Sequence, residues 1–147
     1  MNSQNNIVGT PGDIFAGSRG RPNIFTPTKK ITIYADGSCW PNPGPASIGV
    51  YLEEEGKELD SISQNVGNAT NNIAEFMSLI AGLKKAKELG ATDITVKMDS
   101  MLVINGMTGK FKMKKYWLKE LLEVALYHAS KFKTLEFIWI PRELNGI

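Results

Sequence analysis

Three carboxylates in this chain stand where an acid does little for solubility. Asp36 closes the alternating run "KITIYAD" and Asp99 follows the apolar run of "TDITVKMDS". Each therefore emerges at the C-terminal end of an expected strand, where open α/β sheets place ligands. Glu75 falls in the expected first turn of a long helix. By steps of 100° it shares a stripe with Leu79, Gly82 and Ala86, at the border of the core-facing arc. If the two strands are neighbours and the helix crosses between them, the three carboxylates converge. Crowded carboxylates raise one another's pKa unless a cation sits among them. Oxygen ligands without Cys or His suit Mg²⁺ or Mn²⁺. Two such ions, about 3.5–4 Å apart, can activate a water and stabilise a leaving oxygen at a phosphodiester. Taken singly, each acid has an ordinary explanation. A strand-end Asp is usually a turn residue, and a first-turn Glu usually complements the helix dipole. Together, at three element ends, they point to a metal centre.

The elements that must position them follow from periodicity. In "KITIYAD", Ile31, Ile33 and Ala35 face one way, and Thr32, Tyr34 and Asp36 the other, which predicts a first strand. "ASIGVYLEEEG" predicts a second strand with a turn near Glu55 and Gly56, and "KELDSISQNV" a third. Their short links predict an antiparallel meander. The period then changes. From about Asn72 to Leu89, residues Phe76, Leu79, Ile80, Leu83 and Ala86 form one apolar arc, capped by Thr70 or Asn71 and stopped by Gly90. "TDITVKMDS" predicts strand four, "SMLVINGM" a short helix, "KKYWLKELLEVALYHASKF" a long one and "TLEFIWIP" strand five. The order β-β-β-α-β-α-α-β predicts an α/β fold with a mixed sheet and helices packed on it.

Composition sets the outer bounds. The chain has 147 residues, enough for one domain with a real core. Its net charge of +2 neither demands nor excludes a nucleic-acid partner. The single cysteine, Cys39, forms no internal disulfide, and no Cys/His cluster suggests structural zinc. No apolar run approaches the roughly 20 residues that span a bilayer, and no signal-peptide pattern opens the chain. A soluble, cytoplasmic protein without a membrane partner is expected. Residues 1–29, rich in Asn, Gly, Pro and Ser, are expected to form a flexible arm whose second half is basic.

Four segments carry a family likeness. "YADGSCWPNPGPASIGVYL", "TNNIAEFMSLIAGLKKA", "VKMDSMLVI" and "WIPRELN" occur in this order from about residue 30 to the end. They resemble ribonuclease H, type 1, in its compact branch. The resemblance implies a ribonuclease H-like domain over 30–147, with a five-stranded mixed sheet of order 3-2-1-4-5 flanked by α-helices. It implies an endoribonuclease that cuts the RNA strand of an RNA–DNA hybrid with two Mg²⁺ ions, Mn²⁺ substituting, and leaves 3′-hydroxyl and 5′-phosphate ends. Asp36, Glu75 and Asp99 match the family's metal-binding carboxylates, with Asp36 bridging both ions. Gly37, Ser38, Cys39 and Asn42 match a turn along the hybrid's minor groove. Thr70, Asn71 and Asn72 match a loop that contacts 2′-hydroxyls, DNA sugars and phosphate. The small turn lets backbone groups approach the nucleic acid, and the 2′-OH distinguishes RNA from DNA there.

The chain departs from the family pattern in several places. The family's fourth carboxylate is the Asp of an "N-x-x-A-D" segment opening the last helix. Here Asn145 matches, and the aspartate would come two residues after Ile147. The expectation is a truncated gene or gene fragment that lacks the C-terminal helix and is impaired as written. The alternative is a catalytically impaired hybrid- or RNA-binding module of the same fold. Many members carry a mobile-loop histidine, but the lone His128 falls within the long helix and is expected to be an ordinary helix-edge residue. Arg142 is the better candidate for reaching the scissile phosphate. Met101 stands where well-known members have Gln, with one polar contact fewer. Lys112, Lys114 and Trp117 belong to the run "GKFKMKKYWLKE", whose basic and aromatic residues are suited to grip a DNA strand. A solvated helix start with Trp117 in the core is the competing explanation. A monomer without an obligatory protein partner is expected. A nuclease domain detached from a larger polyprotein is a third reading, weakly opposed by the N-terminal segment.

Overall fold

The computed structural model describes residues 27–110 and 112–145. Five strands form one sheet: β1 (Lys30–Cys39), β2 (Gly44–Glu54), β3 (Lys57–Ala69), β4 (Asp93–Met98) and β5 (Thr134–Trp139). Three helices, α1 (Asn71–Glu88), α2 (Met101–Met107) and α3 (Tyr116–Ala129), and a closing 3₁₀ turn (Arg142–Leu144) complete it. The sheet order is β3-β2-β1-β4-β5, as expected. The β1–β2 and β2–β3 pairs are antiparallel, and the β1–β4 and β4–β5 pairs parallel. Residues 1–26, most of the expected N-terminal arm, lie outside the described residues. Lys29 is already tied to the fold, its N–H donating to Thr92 Oγ1 (2.8 Å) and its ammonium pairing with Glu54 (3.1 Å).

Alternation in the sequence becomes alternation in burial. Along β1, Ile31, Ile33, Ala35, Gly37 and Cys39 are buried, and the residues between them are half-buried. On β2, Ala46, Ile48, Val50 and Leu52 continue that face. Glu55 and Gly56 take positive φ (52° and 79°), the two-residue turn whose twist suits a hairpin. The Thr70 hydroxyl caps α1 by accepting from Ile73 N–H at 3.1 Å, a contact worth about 1 kcal/mol. Gly90, at φ 86°, follows the end of the helix. Phe76, Leu79, Leu83 and Ala86 press the helix onto the sheet. Gly82 permits the approach, since a Cβ there would meet Ile33 Cγ2 at 2.8 Å. Ser100 caps α2 through Val103 N–H. Leu118, Ala125 and Ala129 carry α3 into the same core.

Two expectations need correction, and both concern the carboxylates. Asp36 does not end its strand. β1 runs on through Gly37, Ser38 and Cys39, which pair with Ile48, Ser47 and Ala46 of β2. Only the parallel ladder to β4 stops short, at Tyr34↔Lys97. Alternation in one strand cannot reveal where a neighbour gives out. Glu75, the fifth residue of α1, sits one residue further in than expected, just past the first turn, which holds no acid. The helix begins one residue earlier than expected because Thr70, rather than Asn71, is the cap.

Candidate active site

Beyond Tyr34, β1 has β2 on one side and, among the described residues, no strand on the other. Residues two apart in a strand aim their backbone polar groups to the same side. Ala35, Gly37 and Cys39 thus expose one set of groups toward the side that β4 has left, and side chains satisfy them. Asn145 Nδ2 donates to the Ala35 carbonyl at 2.9 Å. Gly37 N–H donates to Glu75 Oε1 at 2.7 Å. Cys39 N–H donates to Asn71 Oδ1 at 3.0 Å. A Cβ on Gly37 would stand 2.2 Å from the Ala74 carbonyl oxygen, so only glycine lets α1 come this close to the strand.

This fork gathers the acids. One carboxylate oxygen each from Asp36, Glu75 and Asp99 lies within 4.8 Å of the others. Asp99 follows the last residue of β4. Its Oδ1 is buried without a hydrogen-bond partner among the described residues. Burial pushes Glu75 up to about 8. The charges of Asp36 and Asp99 add to the rise, and the Gly37 N–H opposes it. Asp36 is raised too, first by burial and then by Asp99, while the Arg142 guanidinium and Gly37 N–H pull it down. Three oxygen donors, two held above their ordinary range, and one unpartnered buried oxygen fit a hard divalent cation. Asp36 also lines an open groove of about 470 Å³ over the outer face of the sheet, with Ser38, Ser47, Gly49, Tyr51 and Ser61.

The expected contact residues fall into two groups. Cys39, Asn42 and Asn71 form a clasp between the β1–β2 turn and the start of α1. Asn71 N–H donates to Asn42 Oδ1 (3.1 Å), and Cys39 Sγ lies 3.4 Å from both amide oxygens. Thr70 is engaged as the cap, and Asn72 is exposed beside it. Lys112 and Lys114 are exposed in the link between α2 and α3, and Trp117 is the second residue of α3. Trp117 is 42% exposed, so it is not a core residue. Tyr116 packs edge-on against it at 5.4 Å, and Lys115 lies 5.6 Å over its ring. Arg142 is exposed in the 3₁₀ turn, near enough to Asp36 for its charge to act. His128 lies in α3 against Tyr127, its pKa lowered by burial and by Lys84 and Lys131. Sequence reasoning missed the contacts of two residues: Asn145, noted only as a motif match, whose amide reaches Ala35, and Trp139, whose indole N–H donates to the Asp99 carbonyl at 3.2 Å. The available signal was a Trp closing the apolar run "FIW" and an Asn three residues after Arg142 in "PRELN".

A family model described as "Reverse transcriptase-like" matches residues 34–147. A bifunctional protein of Mycobacterium tuberculosis is 43% identical over 118 residues, covering 79% of this chain and 32% of the relative. The ribonuclease HI of Halobacterium salinarum is 36% identical over 140 residues, 93% of this chain and 67% of the relative. The chain belongs to the type 1 ribonuclease H family. Solved ribonuclease H structures share its fold. The N-terminal RNase H domain of the mycobacterial protein, fused to maltose-binding protein, matches with a TM-score of 0.78 and 42% identity, over 80% of this chain and 86% of that one. LC11-RNase H1 in complex with an RNA/DNA hybrid matches at 0.75 and 37% identity, over 79% and 88%. The chain spans about a third of the length of the mycobacterial relative.

Proposed function

We propose that this chain is an endoribonuclease that hydrolyses the RNA strand of RNA–DNA hybrids, leaving 3′-hydroxyl and 5′-phosphate ends. The observation that carries the proposal is the convergence of Asp36, Glu75 and Asp99 at the fork between β1 and β4. In a ribonuclease H fold, that set would hold two Mg²⁺ ions, or Mn²⁺ in their place. Bound there, such ions would supply the charge that lowers the pKa of a water and offsets the charge on a leaving oxygen. The chain's own residues do the rest. Gly37 N–H orients the Glu75 carboxylate. The Cys39–Asn42–Asn71 clasp holds two small polar segments together for contact with sugars and phosphates. Arg142, whose charge already acts on Asp36, is the residue suited to meet the scissile phosphate. Lys112, Lys114 and Trp117 offer an exposed basic and aromatic grip for the second strand. Contacts of these kinds read sugar and shape, so sequence preference is weak.

The test is cleavage of a labelled hybrid in Mg²⁺ and in Mn²⁺, with duplex DNA and duplex RNA as controls. Cutting confined to the RNA of the hybrid, and abolished by Asp36→Asn, is the expected result. Binding of hybrid without cutting in either metal would replace the enzyme by a binding module of the same fold.

A further inference from the structure

Two side chains from the C-terminal limb grip the main chain at both aspartates. Asn145, 5% exposed, donates through Nδ2 to the carbonyl just before Asp36, across 110 residues of sequence. Trp139, the last residue of β5, donates through its indole N–H to the carbonyl of Asp99 itself. We propose that Asn145 and Trp139 are positioning residues that set the gap between Asp36 and Asp99, and with it the affinity of the site for divalent ions.

The reason lies in what the sheet fails to do here. Elsewhere the ladder fixes the spacing of neighbouring strands. At the fork it has ended, at Tyr34↔Lys97, before either aspartate is reached. The separation of the two carboxylates therefore needs another tie. Both ties come from one piece of chain, β5 and the turn after it. That piece is itself locked to β4 by Ile140 N–H donating to the Met98 carbonyl at 2.9 Å. It acts as a brace with one foot on each side of the fork. An indole N–H is a donor only, and Asn145 commits one of its two amide N–H donors to Ala35, while its Oδ1 is buried without a partner among the described residues. Neither contact ligates an ion, yet both act on the backbone that carries the ligands. Groups that orient metal ligands commonly change affinity by tenfold or more, and sites tolerate misplacement of only about 0.5 Å.

The inference rests on the metal-binding reading above, and the experiment separates the two. Mn²⁺ affinity is measured by calorimetry, and the bound ion by its electron paramagnetic resonance spectrum. The proteins are the parent chain, Trp139→Phe, Asn145→Leu, Asn145→Ser and Thr134→Val. The last removes the 3.1 Å bond from Thr134 to Asp93 at the far end of β5 and controls for general loosening of that strand. Trp139→Phe and Asn145→Leu are expected to weaken Mn²⁺ binding roughly tenfold and to change its spectrum. Asn145→Ser, which returns a donor, recovers part of the loss, and Thr134→Val matches the parent. On hybrid, kcat falls in the two variants and KM holds. The proposal is overturned if both bind Mn²⁺ as the parent does, or lose no more affinity than Thr134→Val at equal loss of Tm. A parent chain that binds no Mn²⁺ takes down the metal-binding reading as well.

Discussion

Glu75 shows what the fork demands of a single side chain. Its ordinary pKa of 4.5 rises to about 8 in the folded protein, chiefly through burial and then through two neighbouring acids. Between those values the folded chain holds a proton that the unfolded chain releases. The associated stability is complete below pH 4.5 and is lost as pH rises through about 8. Asp36 is shifted in the same direction. His128 is shifted down, so its contribution runs oppositely, lost as pH falls below its ordinary value of 6.5. In chelator, Tm is therefore expected to fall between pH 5.5 and 8.5, by an amount on the order of 5 °C. Glu75→Gln keeps the acceptor for Gly37 N–H and removes the charge, so its profile should be nearly flat. Mg²⁺ or Mn²⁺ should restore the parent's Tm at the alkaline end. A parent profile that is flat in chelator would contradict the assignment.

At the scale of elements, the close pass of α1 over β1 governs the site. Gly37→Ala would drive a methyl group into the Ala74 carbonyl and the Glu75 amide. Something must shift, and the nearest atoms are backbone. The variant is expected to lose about 2 kcal/mol or more in denaturant unfolding and to lose hybrid cleavage more steeply than stability. An unchanged rate would show that the Gly37–Glu75 contact is dispensable. The five strands and three helices were legible in the sequence, because Ile31, Ile33 and Ala35 alternate and Phe76, Leu79 and Leu83 keep helical spacing, whereas the sheet order came from the family resemblance. Asp36, Glu75 and Asp99 were legible too, as acids beside apolar runs. The extension of β1 past Asp36 was not, since it depends on β2 continuing where β4 stops. Trp139 and Asn145 were hidden for a related reason. Each contacts a main-chain carbonyl, and a carbonyl leaves no trace in residue type.

At the scale of the molecule, the acids and the basic, aromatic surface are separate features of one fold. The net charge is only +2, so attraction to a polyanion depends on where the lysines stand rather than on their total. Lys112, Lys114 and Trp117 are exposed. Replacing all three with alanine is expected to raise KM for hybrid roughly tenfold while kcat stays within about twofold. The salt dependence of hybrid affinity should become shallower by about two charges' worth. A change confined to kcat would place these residues in the chemistry instead. Among the described residues no helix is long and apolar enough to cross a membrane.

The bond from Asn145 to Ala35 also bears on how the protein is made. It joins residues 110 positions apart. Long loops close late, because their entropy must be overcome before the contact rewards it. During synthesis, the first strand leaves the ribosome long before the limb that braces it. A nascent chain thus carries all three acids for some time without the brace that spaces them. The fork between β1 and β4 gains its Trp139 and Asn145 contacts only after residues 139–145 have emerged.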